Sequence, residues 1–160
     1  MDLRIRGLDR QAFDPAFAAA SAGTDPLAVL RIADARPGFP CRVSLEDAEP
    51  GEVVLLTHFQ HQAAATPFRA SHAIYVRETA RERWDAVNLV PPALAGRQLS
   101  LRAFDRDGWL VGGKLVPGAD LLDVARELLA NPAVAGLHAH YAAFGCYAAW
   151  VGRADGLQAA

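Results

Sequence analysis

His138 and His140 stand two residues apart, and Cys146 follows after Tyr141 and the turn-like run Ala142-Ala143-Phe144-Gly145. On a strand that spacing turns both imidazoles to one face, with Cβ atoms roughly 6.5 to 7 Å apart. Such a pair can hold zinc or another divalent transition metal if one or two further N, S or O donors join it. Cys146 is the first candidate, because the four-residue turn returns it toward the end of the strand. Cys41, His58 and His61 are others.

The same side chains suit thiol chemistry. A thiolate needs a neighbouring cation or base; Arg42 follows Cys41, and Cys146 lies close in sequence to the two histidines. The expected catalytic set is therefore Cys41, His138, His140 and Cys146, with His138, His140 and Cys146 as the metal-ligand set. Arg42, Arg77 and His58 are expected to bind substrate, since guanidinium groups grip carboxylates and phosphates in a bidentate manner and so suit a small anionic molecule. Arg69 and Arg102 could converge with them. The competing reading is a non-catalytic binding or protein-interaction domain. There the histidines bond to backbone or solvent, the thiols pack as small hydrophobes and the arginines are solvated.

These residues must be delivered by a scaffold, and hydrophobic periodicity outlines it. Leu3 and Ile5 alternate with Arg4 and Arg6, which predicts an opening strand with one buried face. A short helix follows over 9–20, starting late if Asp14 caps it and Pro15 occupies its first turn. Strands are expected over 27–32, 52–59 and 72–77. The apolar run Val53-Val54-Leu55-Leu56 suits a central strand covered on both faces. Arg36-Pro37-Gly38-Phe39-Pro40 forces a turn that presents Cys41 and Arg42. A capped helical turn is expected over 44–47, a loop over 60–71 and a surface excursion over 78–85. Pro91-Pro92 is expected to stop any helix there. Segments 98–104 and 109–116 form a hairpin around Asp105-Arg106-Asp107-Gly108, and 120–130 is an amphipathic helix ended by Asn131-Pro132. Strands over 134–141 and 146–152 complete an α+β single domain over 1–153. Its sheet is largely antiparallel, with six to eight strands and two or three helices, followed by a frayed tail over 154–160.

Composition limits the function classes. Apolar residues make up 52% of the 160 and charged residues 21%, the balance of a globular chain. A net charge of −2 gives no basic excess to hold nucleic acid or a membrane surface. No apolar run approaches the roughly 18 residues of a transmembrane helix, and no secretion signal is evident. Two cysteines 105 positions apart suggest reduced thiols in the cytoplasm. Gly108 to Lys114 matches part of a phosphate-binding loop, but Leu115 stands where Ser or Thr is required, and the segment reads as a hairpin.

Several segments together resemble one family. Arg4-Ile5-Arg6-Gly7-Leu8, Pro37-Gly38-Phe39-Pro40-Cys41-Arg42-Val43-Ser44-Leu45, Ser100-Leu101-Arg102-Ala103-Phe104-Asp105, and His138-Ala139-His140 with Gly145-Cys146 are similar to a bacterial family of domains of unknown function numbered 1203. The resemblance covers about residues 3 to 153. It implies one complete domain in a bacterial cytosol and marks the two cysteine segments as family hallmarks, and it assigns no activity.

Overall fold

A computed structural model describes residues 1–155, so the tail expected after Arg153 lies almost wholly outside the described residues. Strand β1 (Leu3–Arg6) keeps its alternation: Leu3 and Ile5 are fully buried, and Arg4 and Arg6 pair with Asp85. A 3-10 turn at Arg10–Phe13, capped by the Asp9 carboxylate on the Gln11 N–H, leads into α1 (Asp14–Ala22). The helix does begin late, with Pro15 in its first turn, where the missing N–H costs nothing.

Strands β2 (Ala28–Ile32), β3 (Val53–Gln62) and β4 (Ala70–Arg77) form an antiparallel sheet with β3 in the centre. Then come β5 (Asp85–Val87), α2 (Pro92–Ala95), β6 (Gln98–Phe104), β7 (Leu110–Pro117), α3 (Leu121–Leu129), β8 (Gly136–Tyr141) and β9 (Tyr147–Arg153). Six of these strands make a second antiparallel sheet in the order β5-β1-β9-β8-β6-β7. The α+β class and antiparallel pairing are as expected. The nine strands among the described residues, however, divide between two sheets. None of the helices among the described residues is long and apolar enough to cross a membrane.

Four local expectations need correction. Strand β3 continues to Gln62, so His61 sits on a strand and the loop shrinks to 63–69. Residues 44–47 form no helical turn; Leu45 takes φ 51, a left-handed conformation that a helix excludes. Pro92 opens α2, because proline suits the first position of a helix even though it cannot occupy the interior. The 78–85 stretch is not wholly superficial: Trp84 packs against the main core and exchanges backbone bonds with Gly7 and Val43.

The six-stranded sheet has two unlike faces. Along β8, Leu137 and Ala139 point to one side and join Leu99, Leu101, Ala149 and Val151 under α3, whose Leu121, Ala125 and Leu129 complete the core. Burying each such leucine contributes about 2 kcal/mol. His138 and His140 occupy the alternate positions and meet the three-stranded sheet. The layer order, helix, six strands, three strands, thus places the histidine face in the interior.

Candidate functional site

The period of two in β8 brings His138 and His140 to one face, as their spacing required. Strand β3 adds His61 from the opposing sheet, and β4 adds His72. The His61 Nδ1 lies 3.3 Å from the His138 Nδ1. One ring nitrogen from each of His61, His138 and His140 lies within 4.8 Å of the others. The His61 ring is clamped between two parallel rings, with His72 at 4.6 Å and Tyr147 at 5.1 Å between centroids. A shift in the β8–β9 register between Ala139 and His140 sets Tyr147 opposite His140.

His140 is fully buried, with its Nδ1 3.0 Å from the Gly145 carbonyl oxygen. A carbonyl only accepts, so that nitrogen donates, and the Nε2 lone pair is left without a protein partner. The turn that supplies this carbonyl bends through Gly145 at φ 73, a conformation glycine adopts without strain. Burial makes every ring resist protonation. It pulls His140 down to about 2 against the opposing Gly145 carbonyl, and His61 to about 3 with help from His138, His72 and Arg102. Burial and Arg102 bring His138 to about 4, and His72 is lowered by burial, Arg102, Arg42 and His58. At neutral pH these are uncharged imidazoles with lone pairs to give.

Arg42 organises a second constellation. It is only 1% exposed. Its Nε donates to the Tyr147 carbonyl at 2.8 Å, one terminal nitrogen to the Pro40 carbonyl, and the other to the Cys146 sulfur at 3.0 Å. The guanidinium also lies 4.8 Å from the centre of the Tyr141 ring. Among the described residues no carboxylate neutralises it. Arg42 and Cys146 line a cavity of about 680 Å³ with Pro37, Pro40, Leu56, His72, Tyr75 and Tyr141. The Tyr141 hydroxyl is buried without a hydrogen-bond partner, and burial, against the pull of Arg42 and Arg97, raises its pKa to about 12, so it remains a donor. Arg97 at the same cavity is held by a two-pronged ion pair with Asp47. A separate cavity of about 550 Å³ reaches His61 and His138 from the other side, so the histidine cluster stands between the two cavities.

The residues expected to share one site thus go to different places. Cys146 faces Arg42, while His138 and His140 gather with His61. Cys41 is fully buried, and its sulfur accepts from the Val43 and Arg77 N–H groups at 3.4 and 3.3 Å. Residue alternation explains the split: Cys41 turns into the apolar cluster of Phe13, Val43, Leu55 and Val76, and Arg42 turns the opposite way. Arg77 is engaged by Glu52 and Glu46. His58 is exposed on β3, outside the cluster of His61, His138 and His140. Sequence reading assigned no role to His72, Tyr141, Tyr147 or Arg97. A signal for His61 was present, since Thr57, Phe59 and His61 alternate with His58 and Gln60 once β3 is extended.

No curated protein and no solved structure matches the chain. A family model described as a protein of unknown function, DUF1203, matches residues 38–153, a span that holds the four clustered histidines, Arg42 and Cys146, and the chain belongs to that family.

Proposed function

We propose that this protein binds a small organic anion in the cavity beside Arg42, with the Cys146 thiol as the chemically active group of its wall. The observation that carries this reading is Arg42 itself, a buried guanidinium without a carboxylate partner among the described residues. An unneutralised buried cation is costly, and an anion entering the cavity would offset that cost. The Tyr141 hydroxyl offers a second donor. Pro37, Pro40, Leu56 and Ala73 give the rest of the cavity an apolar wall, so the ligand has an acidic head on an apolar body. Phe144 stands at the rim, 88% exposed. The contact of a guanidinium N–H with the Cys146 sulfur suits a thiol used as a nucleophile.

Alkylation by iodoacetate and by its neutral counterpart iodoacetamide tests both halves of this reading. In each reaction the thiol gives its proton to solvent, the sulfur forms a C–S bond and iodide leaves. A free thiol prefers the neutral reagent; Cys146 is expected to prefer iodoacetate, and benzoate is expected to protect it. Faster reaction with iodoacetamide, together with no protection by millimolar benzoate, rejects the anion pocket. A second reading, a non-catalytic interaction domain, draws support from Cys41 and Arg77, whose polar atoms are committed to holding the fold.

A further inference from the structure

We propose that His61, His138 and His140 form a binding site for one divalent transition-metal ion of zinc's class. Geometry argues for it first. Two nitrogens on the same tetrahedral zinc, each about 2.0 to 2.1 Å from the ion, stand about 3.3 to 3.4 Å apart. The His61 and His138 Nδ1 atoms are separated by 3.3 Å. An imidazole pair in direct hydrogen bond would show a similar distance, so the third ring decides. His140 brings a ring nitrogen within 4.8 Å of the other two; its Nε2 is buried without a partner, and its Nδ1 is anchored on the Gly145 carbonyl. A backbone carbonyl behind a ligating histidine fixes its tautomer and orientation, the usual outer support of a metal ligand. The three ring nitrogens lie within 4.8 Å of one another, and a shared tetrahedral ion would draw them to about 3.3 to 3.4 Å.

Ligand type selects the metal. Three imidazoles and no carboxylate suit zinc, copper, nickel or cobalt and do not suit magnesium or calcium. The set also comes preassembled: His61 is held by stacking on His72 and Tyr147, and β8 holds the other two rings by strand period. Arg102, opposite His138 across the β6–β8 ladder, has no ionic partner among the described residues. A dication beside that guanidinium calls for an anionic fourth ligand, hydroxide or a small carboxylate, so the bound metal keeps an open position. This site is independent of the Arg42 cavity, and either assignment stands if the other fails.

The test is zinc uptake by the whole chain. Protein stripped with a chelator is equilibrated with zinc, and bound metal is counted by mass spectrometry. About one zinc per chain is expected for the wild type and for Cys146→Ser. His61→Ala and His138→Ala are expected to bind at least 100-fold more weakly. Wild-type protein labelled with nitrogen-15 gives a readout that needs no variant to fold: the ring nitrogens of His61, His138 and His140 should move on zinc addition, and those of exposed His58 should not. Substoichiometric uptake overturns the proposal. So does loss of zinc in Cys146→Ser, undiminished binding in both histidine variants, or ring shifts confined to other histidines.

Discussion

The Arg42 guanidinium donates to the Cys146 sulfur at 3.0 Å across 104 residues of sequence. This contact ties the Pro-Gly-Phe-Pro-Cys-Arg turn to the start of β9. Two segments that carry the cysteines thereby meet, yet through the arginine beside one cysteine and not through the pair of thiols. Cys41 and Cys146 are both free.

Replacing Arg42 by Met removes the charge and keeps most of the stem. Iodoacetate should then lose its advantage over iodoacetamide at Cys146. The Tyr147 and Pro40 carbonyls lose their donor, so the urea midpoint should reflect a loss of about 2 to 4 kcal/mol. A variant as stable as wild type would show that these carbonyls find other partners.

The two thiols should behave differently in the folded chain. Cys146 lines a cavity and should be alkylated, while Cys41, fully buried beneath two backbone N–H groups, should react only on unfolding. Peptide mass mapping after a brief iodoacetamide pulse distinguishes them. Equal labelling of both under native conditions would mean that Cys41 becomes accessible by local opening.

Acid should weaken the fold earlier than its carboxylates require. His61, His138 and His140 titrate at about 3, 4 and 2 in the folded chain, against about 6.5 for a free imidazole. As pH falls below about 6.5 the unfolded chain takes up protons that the folded chain refuses, and stability is lost until each folded value is reached. Above about 6.5 the contribution is complete. Burial alone would raise the Asp47 and Glu52 carboxyls, but Arg97 and Arg77 outweigh it and lower them, so these acids extend the loss to more acidic pH. Urea midpoints should decline steadily from pH 6.5 to 4.5, and less steeply in His138→Asn. A flat profile over that range would contradict buried neutral histidines.

Breaking the Asp47–Arg97 pair should be expensive for a partly exposed interaction. The Asp47 side chain is 8% exposed and that of Arg97 is 23% exposed. Arg97→Met leaves the carboxylate nearly buried with only the Gly38 N–H to bond it, which should cost about 2 kcal/mol after allowance for solvent at the arginine. The double variant Arg97→Met with Asp47→Asn should recover part of that loss. No recovery would mean that the pair contributes little beyond the packing of its stems.

Substituting Gly145 by Ala probes the support of His140. Nothing lies within 4 Å of the added Cβ, so the cost comes from φ 73 alone, about 1 kcal/mol. Zinc affinity should fall with it, as the carbonyl that orients His140 shifts. Unchanged affinity and stability would show that the turn relaxes without disturbing the ring.

Much of the scaffold could be read from residue order because period and turn chemistry are local. The hairpin of β6 and β7, the stripe of α3 and the late start of α1 all follow from spacing and from where glycine and proline stand. The shared face of His138 and His140 is equally local. Pro92 begins a helix where its sequence context suggests a stop, because the same residue both ends helices and begins them.

What tertiary structure alone decided is partnership. A period of two says that two histidines share a face and does not say what faces them. His61 joined them because the strands split into two layers and β3 runs to Gln62, three residues past the end at 59 that its sequence suggests. Cys146 went to Arg42 because alternation in the 37–42 turn sends Cys41 one way and Arg42 the other. Side-chain direction is written locally in the chain, but long-range contact depends on how layers stack and which loops close over them.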